Sequence, residues 1–132
     1  MRAKPEELAA VPLFESLSID ELRAVASLTD VADQPAGTIL VAEDEPGHAL
    51  LVLLDGNASV TADGKQLATL GPGDFFGEIA LLEDGRRTAT VRAESPVRVL
   101  SMGGSDFRVF ESDMPEAADR LRTTAAERLA RR

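Results

Sequence analysis

Between Thr29 and Met102 the sequence is cut into short apolar runs separated at close intervals by Gly, Pro and Asp. That cadence selects a compact β-barrel or sandwich. Residues 38–41 form one strand. Residues 50–54 form another, so continuously apolar that both of its faces must be covered. Asp55-Gly56-Asn57 turns the chain into residues 58–62, and Asp63-Gly64, a strong signal for a tight hairpin, returns it along residues 66–70. Gly71-Pro72-Gly73-Asp74 leads out of that hairpin, and residues 88–93 and 97–102 read as the closing strands.

The flanks have a different period. Residues 5–28 read as helical, with Pro12-Leu13-Phe14 as a bend and Ser18-Ile19-Asp20-Glu21 as a capping box for the second piece. Leu17 and Leu22 stand at hydrophobic-staple positions, and Leu22, Val25 and Ala26 line one face. After the last strand, Gly103-Gly104 reads as a flexible joint, with Gly104 or Ser105 as the cap of a helix whose Phe107 and Phe110 pack on the barrel. Pro115 suits the first turn of a final helix, with Glu116 and Asp119 near its start and Arg128, Arg131 and Arg132 near its end. Its stripe of Ala117, Leu121, Ala125 and Leu129 is narrow, which predicts light packing and freedom to move. The 132 residues make one domain: a helical segment over 1–30, a barrel over 31–102, and C-terminal helices over 103–132.

Composition narrows the function. The chain has no cysteine, so it holds neither disulfides nor thiolate metal sites, which fits a reducing cytoplasm. No run approaches the ~20 apolar residues of a membrane span, and the start lacks the core of a signal peptide, so the chain reads as soluble with no membrane partner. A net charge of −9 argues against nucleic acid as a partner. His48 is the sole histidine, which leaves too few donors for a cupin-type metal enzyme and makes it a surface or hydrogen-bonded residue. Glu43-Asp44-Glu45 lacks the spacing of a calcium loop and reads as a solvated turn. With no P-loop and no paired acid and base, the chain reads as a binding module: not an enzyme, with no catalytic cofactor and no metal.

One stretch carries the specific chemistry: residues 75–93, FFGEIALLEDGRRTATVRA. Gly77 lets backbone approach a ligand closely, and the run Ile79-Ala80-Leu81-Leu82 is long enough for one or two helical turns whose first amides are free to bind an anion. Arg87 offers a planar fork for two phosphate oxygens, and Thr88 adds a hydroxyl. A carboxylate repels phosphate, so Glu78 is better suited to accept from a sugar hydroxyl.

This stretch resembles the phosphate-binding cassette of the cyclic nucleotide-binding domain family. The family pattern is an apolar residue, Gly-Glu, any residue, a small residue and an apolar one. A spacer follows, then Arg, a small or hydroxyl residue, Ala, any residue and an apolar one. Phe76-Gly77-Glu78-Ile79-Ala80-Leu81 and Arg87-Thr88-Ala89-Thr90-Val91 fill every specified position. The resemblance implies an eight-stranded antiparallel jelly-roll barrel (a double-stranded β-helix), mainly β, with N-terminal helices, an inserted cassette helix and two C-terminal helices. It implies that Arg87 pairs with the cyclic phosphate, that Glu78 accepts from the ribose 2′-hydroxyl, and that amides near Ile79, Ala80, Thr88 and Ala89 complete the cradle. Gly77, Phe76, Val60 and Leu70 belong to the same pocket by that resemblance. Residues 40–56 are similar to the family's first signature, with Gly47 and Gly56 in place and Asp44 where a glycine is usual. A second departure is Arg86, where many members carry proline.

The function so implied is a cytoplasmic, stand-alone sensor of cAMP that signals by moving its C-terminal helices. Ligand draws the cassette inward, Leu81 shifts against the helix bearing Phe107 and Phe110, and the last helix changes position. Leu121 or Leu129 is a candidate cap for the base, and Arg122 or Arg128 a candidate to stack on it. Thr88 keeps cGMP open as the alternative ligand, and a nucleotide-independent interaction domain is the alternative role. The output lies in an unknown protein effector, a fused domain, or a homodimer built through the last helix.

Overall fold

The computed structural model describes residues 2–42, 49–76 and 89–129 of the chain. Ahead of the strands stand α1 (Pro5–Ala9), a 3-10 turn (Pro12–Phe14) and α2 (Ile19–Ser27). Proline opens the first two, where its fixed φ suits a first turn and its missing amide is no loss. α2 starts at the expected capping box: Ser18 Oγ accepts from the Glu21 amide at 3.2 Å, and the Glu21 carboxylate accepts from the Ser18 amide at 2.9 Å. Leu17 and Leu22, at the staple positions, are buried in one core.

Eight strands follow among the described residues: β1 (Asp30–Gln34), β2 (Ile39–Val41), β3 (Ala49–Asp55), β4 (Ala58–Ala62), β5 (Lys65–Leu70), β6 (Phe75–Phe76), β7 (Thr90–Ala93) and β8 (Val97–Gly103). Every pairing is antiparallel. They form two four-stranded sheets, ordered β1-β8-β3-β6 and β2-β7-β4-β5, the jelly-roll arrangement expected. Asp63 and Gly64 make the β4–β5 hairpin with φ of 52° and 75°, so both central residues adopt the left-handed conformation that a two-residue turn needs.

The first sheet separates two apolar cores. An inner core lies between the sheets and contains Val41, Leu53, Ala58, Leu70, Phe76, Val91, Ala93, Val97 and Val99. An outer core lies between the first sheet and the helices, and includes Leu8, Leu13, Phe14, Val25, Leu100, Phe107, Phe110 and Leu121. β3 shows why residues 50–54 are apolar at every position. Leu50 and Val52 enter the outer core with Leu54 against it, whereas Leu53 enters the inner core with Leu51 against it. Period-two geometry then leaves neither side to water. β8 repeats the pattern, with Leu100 and Met102 outward and Val97 and Val99 inward.

Two details depart from the sequence reading. β1 was not legible as a strand, because Val31 is its one buried residue. It is held by five registered partners along β8, from Asp30↔Ser101 to Gln34↔Val97. At the other end, no joint separates β8 from the helix that follows. Gly103 still pairs with Ala49 in the sheet, and α3 (Gly104–Asp113) begins at the next residue. Gly103 therefore occupies the cap position, without a side-chain cap, in place of the expected Gly104 or Ser105.

Phe107 and Phe110 are buried in the outer core, with ring centroids 6.3 Å apart. α4 (Pro115–Leu129) buries Ala117, Leu121 and Ala125 as expected, and also Ala118 and Thr124, so its buried stripe is broader than the sequence pattern suggested. The side chain of Leu129 lies outside the described residues.

Candidate functional site

The site begins where β6 ends. β6 is two residues long, yet both are pinned: Phe75 is registered with Val52 and Phe76 with Leu51. The turn that feeds it is tied to β3 as well. The Gly73 amide donates to the Leu53 carbonyl at 2.7 Å, the Leu53 amide donates to the Asp74 carbonyl at 2.8 Å, and Asp74 Oδ2 accepts from the Gly71 amide at 2.8 Å. Gly73 has a φ of +92°, and a Cβ there would sit 3.2 Å from Pro12 Cδ, so the turn packs against the 3-10 segment with little space to spare.

From Phe76 the chain leaves the first sheet, and it re-enters the second at β7, the strand between β2 and β4. The ends of the motif are therefore held by opposite sheets. Phe76 and Leu70 are buried together in the inner core, and Val60 packs against it while half-buried. Val60 is registered with Val91, and Thr61 with Thr90, which sets the start of β7 over β4. Ala89 is half-buried immediately before β7. The structure thus brings Phe76, Leu70 and Val60 together. Gly77, Glu78, Ile79, Ala80, Arg87 and Thr88 lie outside the described residues, as do Leu81, Arg86, Glu43, Asp44, Glu45, Gly47 and His48.

Beyond β7, Glu94 accepts a 2.6 Å hydrogen bond from the hydroxyl of buried Ser59 and donates its amide to the Asn57 carbonyl at 3.0 Å. No group of three or more metal-ligating side chains occurs among the described residues. No helix among them is long and apolar enough to cross a membrane.

Of the base-capping candidates, two are described. Leu121 is wholly buried in the outer core. Arg122 lies 5.1 Å over the Phe107 ring and pairs with Glu111 and Asp119. Both are thus engaged with the helices. The side chains of Arg128 and Leu129 lie outside the described residues.

Sequence reasoning missed an ion-pair network on the helix side of the first sheet. Arg98 donates from Nε and Nη2 to both carboxylate oxygens of Glu7, at 3.1 and 3.3 Å, and lies 3.5 Å from Asp33. The hydrogen bond from Arg98, with a further one from the Lys4 amide, holds the Glu7 carboxyl below the usual glutamate range. A cleft of about 380 Å³ opens beside the pair, lined by Ala10, Val11, Pro12, Leu54, Pro72 and Gly73. A signal was available: Arg98 shares a strand face with Leu100 and Met102, and a charge on an apolar face needs a partner.

Comparison with known proteins agrees with this architecture. Residues 33–112 match the sequence model of the cyclic nucleotide-binding domain. The chain is 38% identical over 121 residues to a cyclic nucleotide-gated potassium channel of Mesorhizobium japonicum, covering 92% of this chain and 34% of the channel. It is 30% identical over 131 residues to a CRP-like cAMP-activated global transcriptional regulator of Mycobacterium tuberculosis, covering 96% of this chain and 58% of the regulator. The chain thus spans about a third of the one relative and somewhat over half of the other. Among solved structures, a Geobacter metallireducens protein named for cyclic nucleotide binding superposes with a TM-score of 0.86 at 27% identity, covering 98% of both chains.

Proposed function

The chain belongs to the cyclic nucleotide-binding domain family, a typically non-catalytic regulatory module, and on that premise we propose that it is a cAMP sensor. Arg87 pairs with the cyclic phosphate and Glu78 with the ribose 2′-hydroxyl. Gly77, Ile79, Ala80, Thr88 and Ala89 line the cradle, and Phe76, Val60 and Leu70 form its apolar floor. The observation that carries this reading is the spacing of Gly77-Glu78 and Arg87-Thr88-Ala89, bounded by β6 in one sheet and β7 in the other. A guanidinium presented with free amides binds a cyclic phosphate well, and a glutamate suits a ribose hydroxyl. The cAMP-activated regulator among its relatives supports cAMP as the ligand, while Thr88 favours cGMP as the second reading, since a hydroxyl is able to accept from a guanine amino group.

Signalling follows from a shift in the C-terminal helices when the ligand favours one of their arrangements. The absence of cysteine suits a cytoplasmic setting. Competition of unlabelled cAMP and cGMP against a fluorescent cyclic nucleotide tests the reading. Displacement by either, weakened at least about tenfold in Arg87→Ala, supports it. A wild type that takes up no probe contradicts it.

A further inference from the structure

We propose that Arg120 and Glu21 form an ionic clamp that holds α4 on the N-terminal helices, in competition with its closure over bound nucleotide. The inference rests on the sensor reading for its ligand, while the clamp itself rests on contacts between helices.

Arg120 Nη2 reaches both carboxylate oxygens of Glu21, 99 residues earlier in the chain. Glu21 is also the third helical residue of α2 and the reciprocal member of its capping box, and its Oε1 accepts from the Ser18 amide. The cap therefore orients the carboxylate before Arg120 arrives, which removes much of the side-chain entropy cost that weakens surface pairs. Two residues on, Arg122 takes the Phe107 ring and Glu111 of α3. At ~3.6 residues per turn, positions two apart lie on nearly opposite sides of a helix. α4 is thus gripped on one side by α2 and on the other by α3.

The apolar contacts of α4 are less selective. The apolar part of its buried stripe is Ala117, Ala118, Leu121 and Ala125, one large side chain among three small ones, and burial of such a surface is non-directional. Burial of that stripe holds α4 down, and the directional ion pairs add a preference for one orientation. That position also matters for the ligand. α4 buries Leu121 in the outer core, whereas Phe76, Leu70 and Val60 belong to the inner one, on the other face of the first sheet. For α4 to cover a nucleotide, Arg120 must leave Glu21. Ligand affinity is then lowered by the free energy of the clamp, as it is for any protein whose competent state is only partly populated.

The test uses Arg120→Gln, Glu21→Gln and the double variant. Glutamine retains a capping box at position 21, so both singles remove charge without removing the cap. Hydrogen exchange of the α4 amides reads the clamp directly, and calorimetry with cAMP reads its coupling to ligand. Faster exchange in both singles is expected, with affinity raised roughly two- to five-fold, the range set by a partly exposed ion pair. The double variant should match a single one, because the two changes break the same contact. Unchanged exchange in α4 overturns the clamp, and faster exchange with unchanged affinity overturns its coupling to ligand. A wild type that binds no nucleotide refutes the sensor reading and with it the coupling, and exchange alone then decides the clamp.

Discussion

Phe75 and Phe76 are neighbours in β6 but serve different cores: Phe75 packs with the helices, and Phe76 with the interior between the sheets. Adjacent strand residues point to opposite faces, so one two-residue strand joins the helical layer to the approach of the proposed ligand site. Substitution should separate their roles. Phe75→Leu and Phe76→Leu should each lower stability by about 1–3 kcal/mol, since both rings are buried. Nucleotide affinity should fall clearly in the Phe76 variant alone, measured by calorimetry at a temperature where both variants are folded.

Gly56 is the most constrained turn residue described. Its φ is +86°, and a Cβ there would lie 2.3 Å from the Pro96 carbonyl oxygen and 2.9 Å from both Ser95 Oγ and Val97 Cγ1. Gly56→Ala should therefore cost at least the ~1–3 kcal/mol of a strained backbone residue, before any clash is added. Urea denaturation measures it, and a midpoint equal to the wild type would show that the β3–β4 turn can rearrange freely.

Leu121 is the one large apolar side chain in the described stripe of α4, and it is fully buried. Leu121→Ala should destabilise by about 2–5 kcal/mol, the range for a buried leucine. Part of that loss should appear as detachment of α4 alone, seen as hydrogen exchange that quickens in the helix before it does in β3 or β8.

Acid stability should report two paired carboxylates, Glu7 of α1 against Arg98 of β8 and Glu21 of α2 against Arg120 of α4. Arg98 lowers the pKa of Glu7, and the Ser18 amide followed by Arg120 lowers that of Glu21. A carboxylate with a depressed folded pKa stabilises the fold above its unfolded value, and that contribution disappears as pH falls through the folded one. Wild type should thus exceed Arg98→Met in thermal midpoint by a constant margin above about pH 5, and the margin should shrink below the ordinary glutamate range and close once pH has fallen through the lowered folded pKa of Glu7. A margin that persists unchanged in acid would assign the Arg98 effect to packing of its stem instead.

Local signals survived into the structure where a few neighbouring residues settle the geometry. Ser18 and Glu21 cap α2 through bonds that span three residues, and Asp63-Gly64 turns a hairpin through left-handed backbone at two adjacent positions. The motif at Gly77-Glu78 and Arg87-Thr88-Ala89 was legible for the same reason: its spacing is local, and it sufficed to suggest the family. What escaped depends on distant partners. β1, with Asp30, Asp33 and Gln34 around a single buried valine, is a strand because β8 lies beside it. Gly103 and Gly104 looked like a joint because two glycines carry no preference of their own, and the pairing of Gly103 with Ala49 overrides that freedom. The Glu7–Arg98 and Glu21–Arg120 pairs join residues more than ninety positions apart. Arg98, on a β8 face with Leu100 and Met102, signalled the need for a partner but not which one, and the exposed helix faces gave no sign of which charges would meet.

Calorimetric titration of the wild-type chain with cAMP, and in parallel with cGMP, bears most directly on the central claim. The account predicts one site per chain at micromolar affinity or tighter, with cAMP the stronger ligand and binding lost in Arg87→Ala. No heat of binding from either nucleotide, with the chain folded, would contradict it and turn attention to protein partners of α4.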